Sequence, residues 1–271
     1  YTGQDGVIGG SDVSYYKRYN FRANSEHKMY DGLITVGEHV SFVWKDSRNM
    51  GTGNIYNNNL RSAFSASPII PVYGPDGDYN NTSGSDWNVN DGNPYGTMMV
   101  NRFNRSRSGT LDANAYMQVE PIKNLKFKTV FAVGYSASDY RSYTPSYSFS
   151  PQGGNTEESV RQSNGNGLSM VWTNTLSYDF TVRGGHDITA LIGSEWSSYD
   201  GSQTNGYNTG IVPGFNDWDH AYLTNINNKT NQEAKGSPYD PTRSMSYFAR
   251  LGWSWKDRYM VNATLRADGS S

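Results

Sequence analysis

The chain has 271 residues, a net charge of −2 and no cysteine, which excludes disulfide frameworks and thiolate metal sites and leaves no basic footprint for nucleic acid. Charged residues make up 18% and aromatic residues 14%, with 21 Tyr, and the mean hydropathy is −0.74. Scattered Gly (29) and Pro (10) argue against long helices, and no stretch approaches the ~18 apolar residues of a membrane helix.

In chain order, the dominant signal is alternation of apolar and polar residues, the period of a strand. It begins with Tyr15, Tyr19, Phe21 and Ala23, then Ile34, Val36, Val40, Phe42 and Trp44. These predict strands at about 14–25 and 33–46. Leu111 to Val119 and Leu125 to Tyr135 predict 110–120 and 124–137. Met170 to Phe180 and Ile188 to Trp196 predict 168–180 and 186–199. Met245 to Trp255 and Tyr259 to Leu265 predict 245–256 and 259–268. Four residues break the pattern: Glu38 and Asn174 fall on apolar faces, Val171 and Leu191 on polar ones.

The connections alternate strictly. Residues 26–32, 121–123, 181–185 and 257–258 are short, whereas 47–109, 138–167 and 200–244 are long and rich in Asn, Gly, Ser, Tyr and Pro. Structureless loops of that length are uncommon in compact soluble domains. Short turns on one side and long loops on the other are the layout of an all-β, antiparallel transmembrane barrel, with periplasmic turns and extracellular loops. The predicted strands also exceed the ~9–11 residues that a tilted membrane strand needs. Aromatics gather at both ends: Tyr15, Tyr16, Trp44, Tyr135, Trp196 and Tyr199 toward the loops, Tyr178, Phe180, Trp253, Trp255 and Tyr259 toward the turns. That is the pattern of two membrane-interface girdles with smaller aliphatics between them.

Catalytic and metal motifs are weak. Asp86, Asn88 and Asn90 resemble the start of a calcium loop, but Gly92 falls one position late and Thr97 stands where a bidentate Glu belongs. Glu157 with Glu158, and Asp217 with Asp219, are neighbours in loops rather than carboxylates facing each other across a scissile bond. His27, His39, His186 and His220 have no short ligand spacing, and His39 falls on the polar face, the lumen of a barrel. No enzyme activity and no cofactor are expected. The loops offer Trp87, Tyr95, Trp218 and Tyr222 among Asp, Asn and Gly. A ring face flanked by amides suits a sugar or peptide, and it equally suits packing of a loop onto itself.

Three stretches carry a family resemblance. RSMSYFARLGWSWKDRYMVNATLRADGSS at 243–271, SPIIPVYGPDGDY at 67–79, and VEPIKNLKFKTVFAVGY at 119–135, followed by YTPSY, resemble the barrel of SusC/RagA-like TonB-dependent outer-membrane transporters of Bacteroidetes. The resemblance implies a 22-stranded barrel around an N-terminal plug, of which the roughly eight strands read here would be part. It implies a SusD-like surface lipoprotein as partner, TonB acting through an N-terminal part outside this chain, and import of a glycan or peptide. Tyr1 in place of Met, no signal peptide, and a last strand without a turn predict an internal segment of one barrel domain, residues 1–271. A passive porin or an adhesin shares the same strand pattern. A soluble β-rich binding module or enzyme instead requires that Leu111, Met117, Leu251 and Leu265 pack inward against a second layer.

Overall fold

The computed structural model describes residues 1–53, 58–83, 92–226, 232–256 and 258–271. It is dominated by one antiparallel sheet of nine strands in the order β1-β2-β3-β4-β5-β8-β9-β10-β11. Each main strand hydrogen-bonds to the next in sequence, so the chain is an up-and-down meander. The strands are β1 Thr2–Asp5, β2 Tyr15–Met29, β3 Ile34–Arg48, β4 Asn104–Ile122 and β5 Leu125–Thr144. After a two-residue pair, β6 Tyr147–Ser148 and β7 Gly154–Asn155, come β8 Ser159–Val182, β9 His186–Thr209, β10 Glu233–Trp255 and β11 Tyr259–Ser270. The helices α1 Gly10–Val13, α2 Asn59–Ser65 and α3 Pro94–Val100 all lie in connections.

The eight expected strands form, with two differences. β1 is an additional strand, pairing with the start of β2 through Thr2–Arg18 to Asp5–Tyr15. The ladders also run further on the loop side than alternation predicts. β4 starts at Asn104, β5 runs to Thr144, β8 starts at Ser159, β9 ends at Thr209 and β10 starts at Glu233. Apart from a few residues such as Tyr143 and Val160, both faces are polar in those extensions, which hides the period from sequence while leaving the backbone ladder intact.

One register row runs through Ile34, Val119, Phe127, Leu176, Ile192, Ala249 and Leu265. Ile34 is two residues beyond the Gly32 turn, whereas Leu176 and Ile192 lie six residues from the ends of their hairpin, Val182 and His186. The turns therefore descend across the sheet relative to the hydrogen-bond direction, which is the strand tilt and stagger of a barrel wall. The turns themselves use positive-φ residues, such as Asn124 at φ 68, whose backbone N–H donates to the Glu120 carboxylate at 2.9 Å.

Side chains in the row and its outward neighbours form a continuous apolar surface with no second layer over it. Leu251 is 53% exposed and Leu265 75%, and Leu111 and Met117 are also exposed. The small buried core lies elsewhere, where Tyr143 and Val160 at the upper ends of β5 and β8 meet Ile211 and Ala221 of the connection between β9 and β10. A sheet with its apolar face outward is stable only against hydrocarbon, and the requirement of a soluble domain is not met.

Aromatic residues bound this surface at both edges. On the turn side Tyr178 stacks on Phe180 (5.0 Å between centroids), Trp255 on Tyr259 (5.8 Å), and His186 on Trp253 and Trp255. Trp255 Nε1 donates to the Gly184 carbonyl at 3.0 Å. On the loop side Tyr19 pairs with Trp44, and Trp172 with Trp196. Tyr16 and Tyr199 depart from this girdle. Their register puts them on the inner face, where Tyr199 lies over Gly167. Adjacent strand positions point to opposite faces, so Tyr15 keeps the outward place that Tyr16 cannot share.

Some of the polar groups inside the belt find partners within it. Ser25 Oγ donates to Glu38 at 3.2 Å, and Trp172 Nε1 donates to Thr129 Oγ1 at 2.9 Å. On the inner face, rings pack over glycines of neighbouring strands: Tyr116 over Gly37 and Phe248 over Gly193, where a Cβ would collide with the ring. His39 sits on this face, stacked on Tyr116 at 6.0 Å and 3.0 Å from Asn24.

Candidate functional site

The long connections between β3 and β4 and between β5 and β8 fold together at the extracellular end. Asparagine caps set both helices: the Asn58 side chain accepts from Arg61 N at 3.0 Å and that of Asn93 from Gly96 N at 2.9 Å, ahead of a Pro in the first turn of α3. The other end of Asn93 donates to the Val72 carbonyl at 2.6 Å, tying α3 to the Pro-Val-Tyr loop. Tyr73, Tyr79 and Tyr95 then converge, with Tyr79 edge-on to Phe149 at 5.8 Å. Buried Thr82 closes the joint by donating to the Phe149 carbonyl at 3.2 Å. Desolvation among these rings raises the Tyr73 pKa.

Beside this joint lies a cavity of about 540 Å³, bounded by α2, α3 and the upper ends of β4 and β5. Its walls carry Asn49, Asn58, Asn59, Asn101 and Asn104, the hydroxyls of Ser62, Thr97, Tyr140, Ser142 and Thr144, and the rings of Phe103 and Tyr147. Among the described residues no Asp, Glu, His, Lys or Arg lines it. Amides and hydroxyls both donate and accept, so such a wall can satisfy a neutral ligand rich in hydroxyl or amide groups.

The connection from β9 to β10 behaves differently, because it drapes over the outside of the wall. Tyr143 donates to the Asn216 carbonyl at 2.8 Å, and Leu223 N donates to Gln162 at 3.0 Å. Trp218 stacks on Phe103 at 6.2 Å. The Arg141 guanidinium lies 3.9 Å from the centroid of Trp218 and 4.0 Å from that of Tyr222. Burial raises the Tyr143 pKa, reinforced by the nearby Glu158 carboxylate. Asp217 is held below its usual value by its hydrogen bonds with His220, at 2.8 Å to the ring.

Below the loop, the outer wall carries paired charges. Arg105 grips Asp46 with two bonds of 2.9 and 2.6 Å, and Tyr15 donates to the same carboxylate at 3.0 Å. Arg107 grips Asp139 at 3.0 and 2.9 Å. The Arg105 bond, aided by Tyr15, keeps Asp46 ionised below the usual carboxylate range against its partial burial.

Tyr95 thus stands in the ring cluster, while Trp218 and Tyr222 stand together on the outer wall around Arg141. Trp87 lies outside the described residues, as do Asp86, Asn88 and Asn90. Of the interface aromatics, Trp44 and Trp196 reach the loop-side edge, and Tyr178, Trp253, Trp255 and Tyr259 the turn-side edge. Tyr15 lies just above the loop-side edge, bonded to Asp46. The Arg105, Arg107, Asp46 and Asp139 network escaped sequence reasoning. Its signal was the alternating RSRSG run at 105–109, a strand pattern written in charge rather than in apolarity.

The fold and its outward apolar belt define an outer-membrane β-barrel section. No family model matches the chain, and the curated proteins it is similar to are TonB-dependent receptors. Over its whole length the chain is 29% identical to TonB-dependent receptor P26 and 25% identical to TonB-dependent receptor P3, both of Formosa agariphila. It spans about a quarter of those proteins, 26% of each. In structure, 99% of the chain superposes on 29% of a chain of the RagAB peptide importer in its open-open state, with a TM-score of 0.77 at 19% identity. The ferric-catecholate import receptor Fiu of E. coli K12, in its open form, gives 0.57 at 10% identity, over 96% of this chain and 38% of that one. These relatives are receptors and importers, not enzymes.

Proposed function

We propose that this chain forms part of the barrel wall of a TonB-dependent importer that moves a glycan or peptide nutrient across the outer membrane. The observation that carries the reading is the likeness to TonB-dependent receptors along the entire chain, on an up-and-down wall whose apolar face points outward. RagAB is a peptide importer by its description, and the neutral amide- and hydroxyl-lined cavity beside α2 and α3 suits the same chemistry of ligand: a peptide backbone or an uncharged sugar. In this reading the protein performs no chemical step on its cargo. A SusD-like lipoprotein covers the extracellular end, and TonB supplies the energy through a part of the protein beyond these residues.

The test is growth of a strain lacking the intact gene on defined glycans and defined peptides as sole nutrient. Loss of growth on one of them, reproduced in a strain without TonB, supports active import. Growth retained on every nutrient counts against it, and growth lost without dependence on TonB makes the protein a passive pore. Purification of the full-length protein from membranes is expected to bring a surface lipoprotein with it.

A further inference from the structure

The cavity beside α2 and α3 has hydrogen-bonding groups to spare, and they are of one kind. Some of its polar side chains hold the fold. The Asn104 amide bonds through both its ends, to the Asn49 backbone and to the Asn101 carbonyl, and Ser62 donates to the Asn58 carbonyl at 3.0 Å. The amides of Asn49, Asn59 and Asn101 and the hydroxyls of Tyr140, Ser142 and Thr144 line the same space, yet make no hydrogen bond among the described residues. The Tyr140 ring likewise has no ring or cation against it among them.

Strand parity fixes the side of the wall on which these groups stand. On β5, Asp139, Arg141 and Tyr143 take the outward positions, so Tyr140, Ser142 and Thr144 take the inner ones. On β4, Asn104 stands opposite Ser142 on the same inner face, while Arg105 stands opposite Arg141 on the outer one. The cavity therefore opens on the lumen side of the wall at its extracellular end, and the arginines of these two strands lie across the sheet from it.

The chemistry of that surface selects its ligand. Amides and hydroxyls that donate and accept match the hydroxyls of a sugar, and an open ring matches the apolar face of a sugar ring. A carboxylate or sulfate in the cavity meets no Lys, Arg or His among the described lining residues, and burying an unpaired charge is costly. A peptide that docks as an added strand needs an open strand edge. Here β4 and β5 stay paired with each other to Asn104 and Ser142, and β5 with β8 to Thr144 and Ser159. Resting on the import reading above, we infer that this cavity is a subsite for an uncharged stretch of glycan and favours neutral sugars over anionic sugars and over peptides. Its volume of about 540 Å³ lies within the roughly 300–1,000 Å³ of small-ligand pockets, so it takes a short segment of a glycan chain.

The test is calorimetric titration of the full-length protein, purified from membranes, with neutral hexaoses of glucan, xylan, mannan, galactan and fructan type, with hexagalacturonate, and with a hexapeptide of neutral side chains. At least one neutral hexaose is expected to bind at least about tenfold more tightly than hexagalacturonate and the peptide, and Tyr140→Ala is expected to weaken that binding about tenfold. Tyr140→Phe, which keeps the ring, and Ser142→Ala are each expected to weaken it about threefold, while Asn164→Ala on the outer wall leaves it unchanged. Tighter binding of hexagalacturonate or the peptide overturns the proposal and leaves the import reading standing. Binding of none of the probes overturns the proposal, and growth of the deletion strain on every nutrient then overturns the import reading with it. Unchanged affinity in folded Tyr140→Phe and Ser142→Ala proteins also overturns the proposal, whether or not Tyr140→Ala folds, leaving these groups as contacts for another part of the protein.

Discussion

The same strands present two different outer walls. On β8, Leu176 and Trp172 face hydrocarbon, while a few residues further along Asn164 and Gln162 face outward as neutral polar groups, and on β4 the change is from Leu111 to Arg107 and Arg105. The backbone ladder does not notice the boundary, since pairing continues without interruption from Val182 to Ser159. What changes is the solvent that each side chain meets. In the belt the backbone has no alternative to strand pairing, because lipid offers no hydrogen bonds. Above it, the ladder persists in water because ion pairs, ring stacking and a draped loop cover it.

The contrast can be broken most sharply on β8. Leu176→Arg, between the two aromatic edges, is expected to destabilise the folded barrel by about 2–4 kcal/mol, whereas Asn164→Arg on the same face is expected to change stability by less than about 0.5 kcal/mol. Urea titration of the full-length protein folding into vesicles measures both, and equal effects would erase the distinction between the walls. On the inner face, Gly193→Ala drives a methyl into the Phe248 ring and is expected to lose about 1–3 kcal/mol. A double-mutant cycle with Phe248→Ala should recover the part due to the ring, leaving the contact with the Asn174 carbonyl.

The third test acts only above the belt. Trp218→Ala removes a stacked ring and one side of the Arg141 clamp, on the order of 1–2 kcal/mol. Hydrogen exchange should speed up at 210–226 and stay unchanged at 168–180; a change in both segments would mean the two walls unfold together. The smallest effect is the acid response of the Arg105–Asp46 pair. Its carboxylate is depressed in the folded state, so its contribution, under about 1 kcal/mol, is present above the unfolded value of about 3.9 and disappears as pH falls through the lower folded value. Protection factors around Arg105, that is, exchange rates relative to the unfolded chain at the same pH, should therefore be flat from pH 7 to about 4 and fall only below it, and Asp46→Asn should abolish the step.

The sequence reveals the belt almost residue by residue, because burial in lipid imposes an apolar residue at every second position. Even the exceptions Glu38 and Asn174 fall where the alternation places them. The strand extensions stay hidden because water is satisfied with Arg, Ser or Asn at any outward position, so the period fades although the strand does not. The girdle assignments of Tyr16 and Tyr199 failed on parity, an error of one position that a register, but not a composition, corrects. The outer-wall placement of Trp218 and Tyr222 depends on a loop crossing from one ladder to another, and no local pattern encodes that.

The 24-residue strands β8 and β9 have a consequence of scale. At about 3.3 Å per residue and a tilt near 40°, each climbs roughly 60 Å, of which the membrane band takes only ~25 Å. The hairpin pair is therefore a chimney that stands about 35 Å beyond the apolar band. Whatever approaches the cell from outside, antibody, phage or nutrient, meets the tip of that chimney well before it meets the membrane.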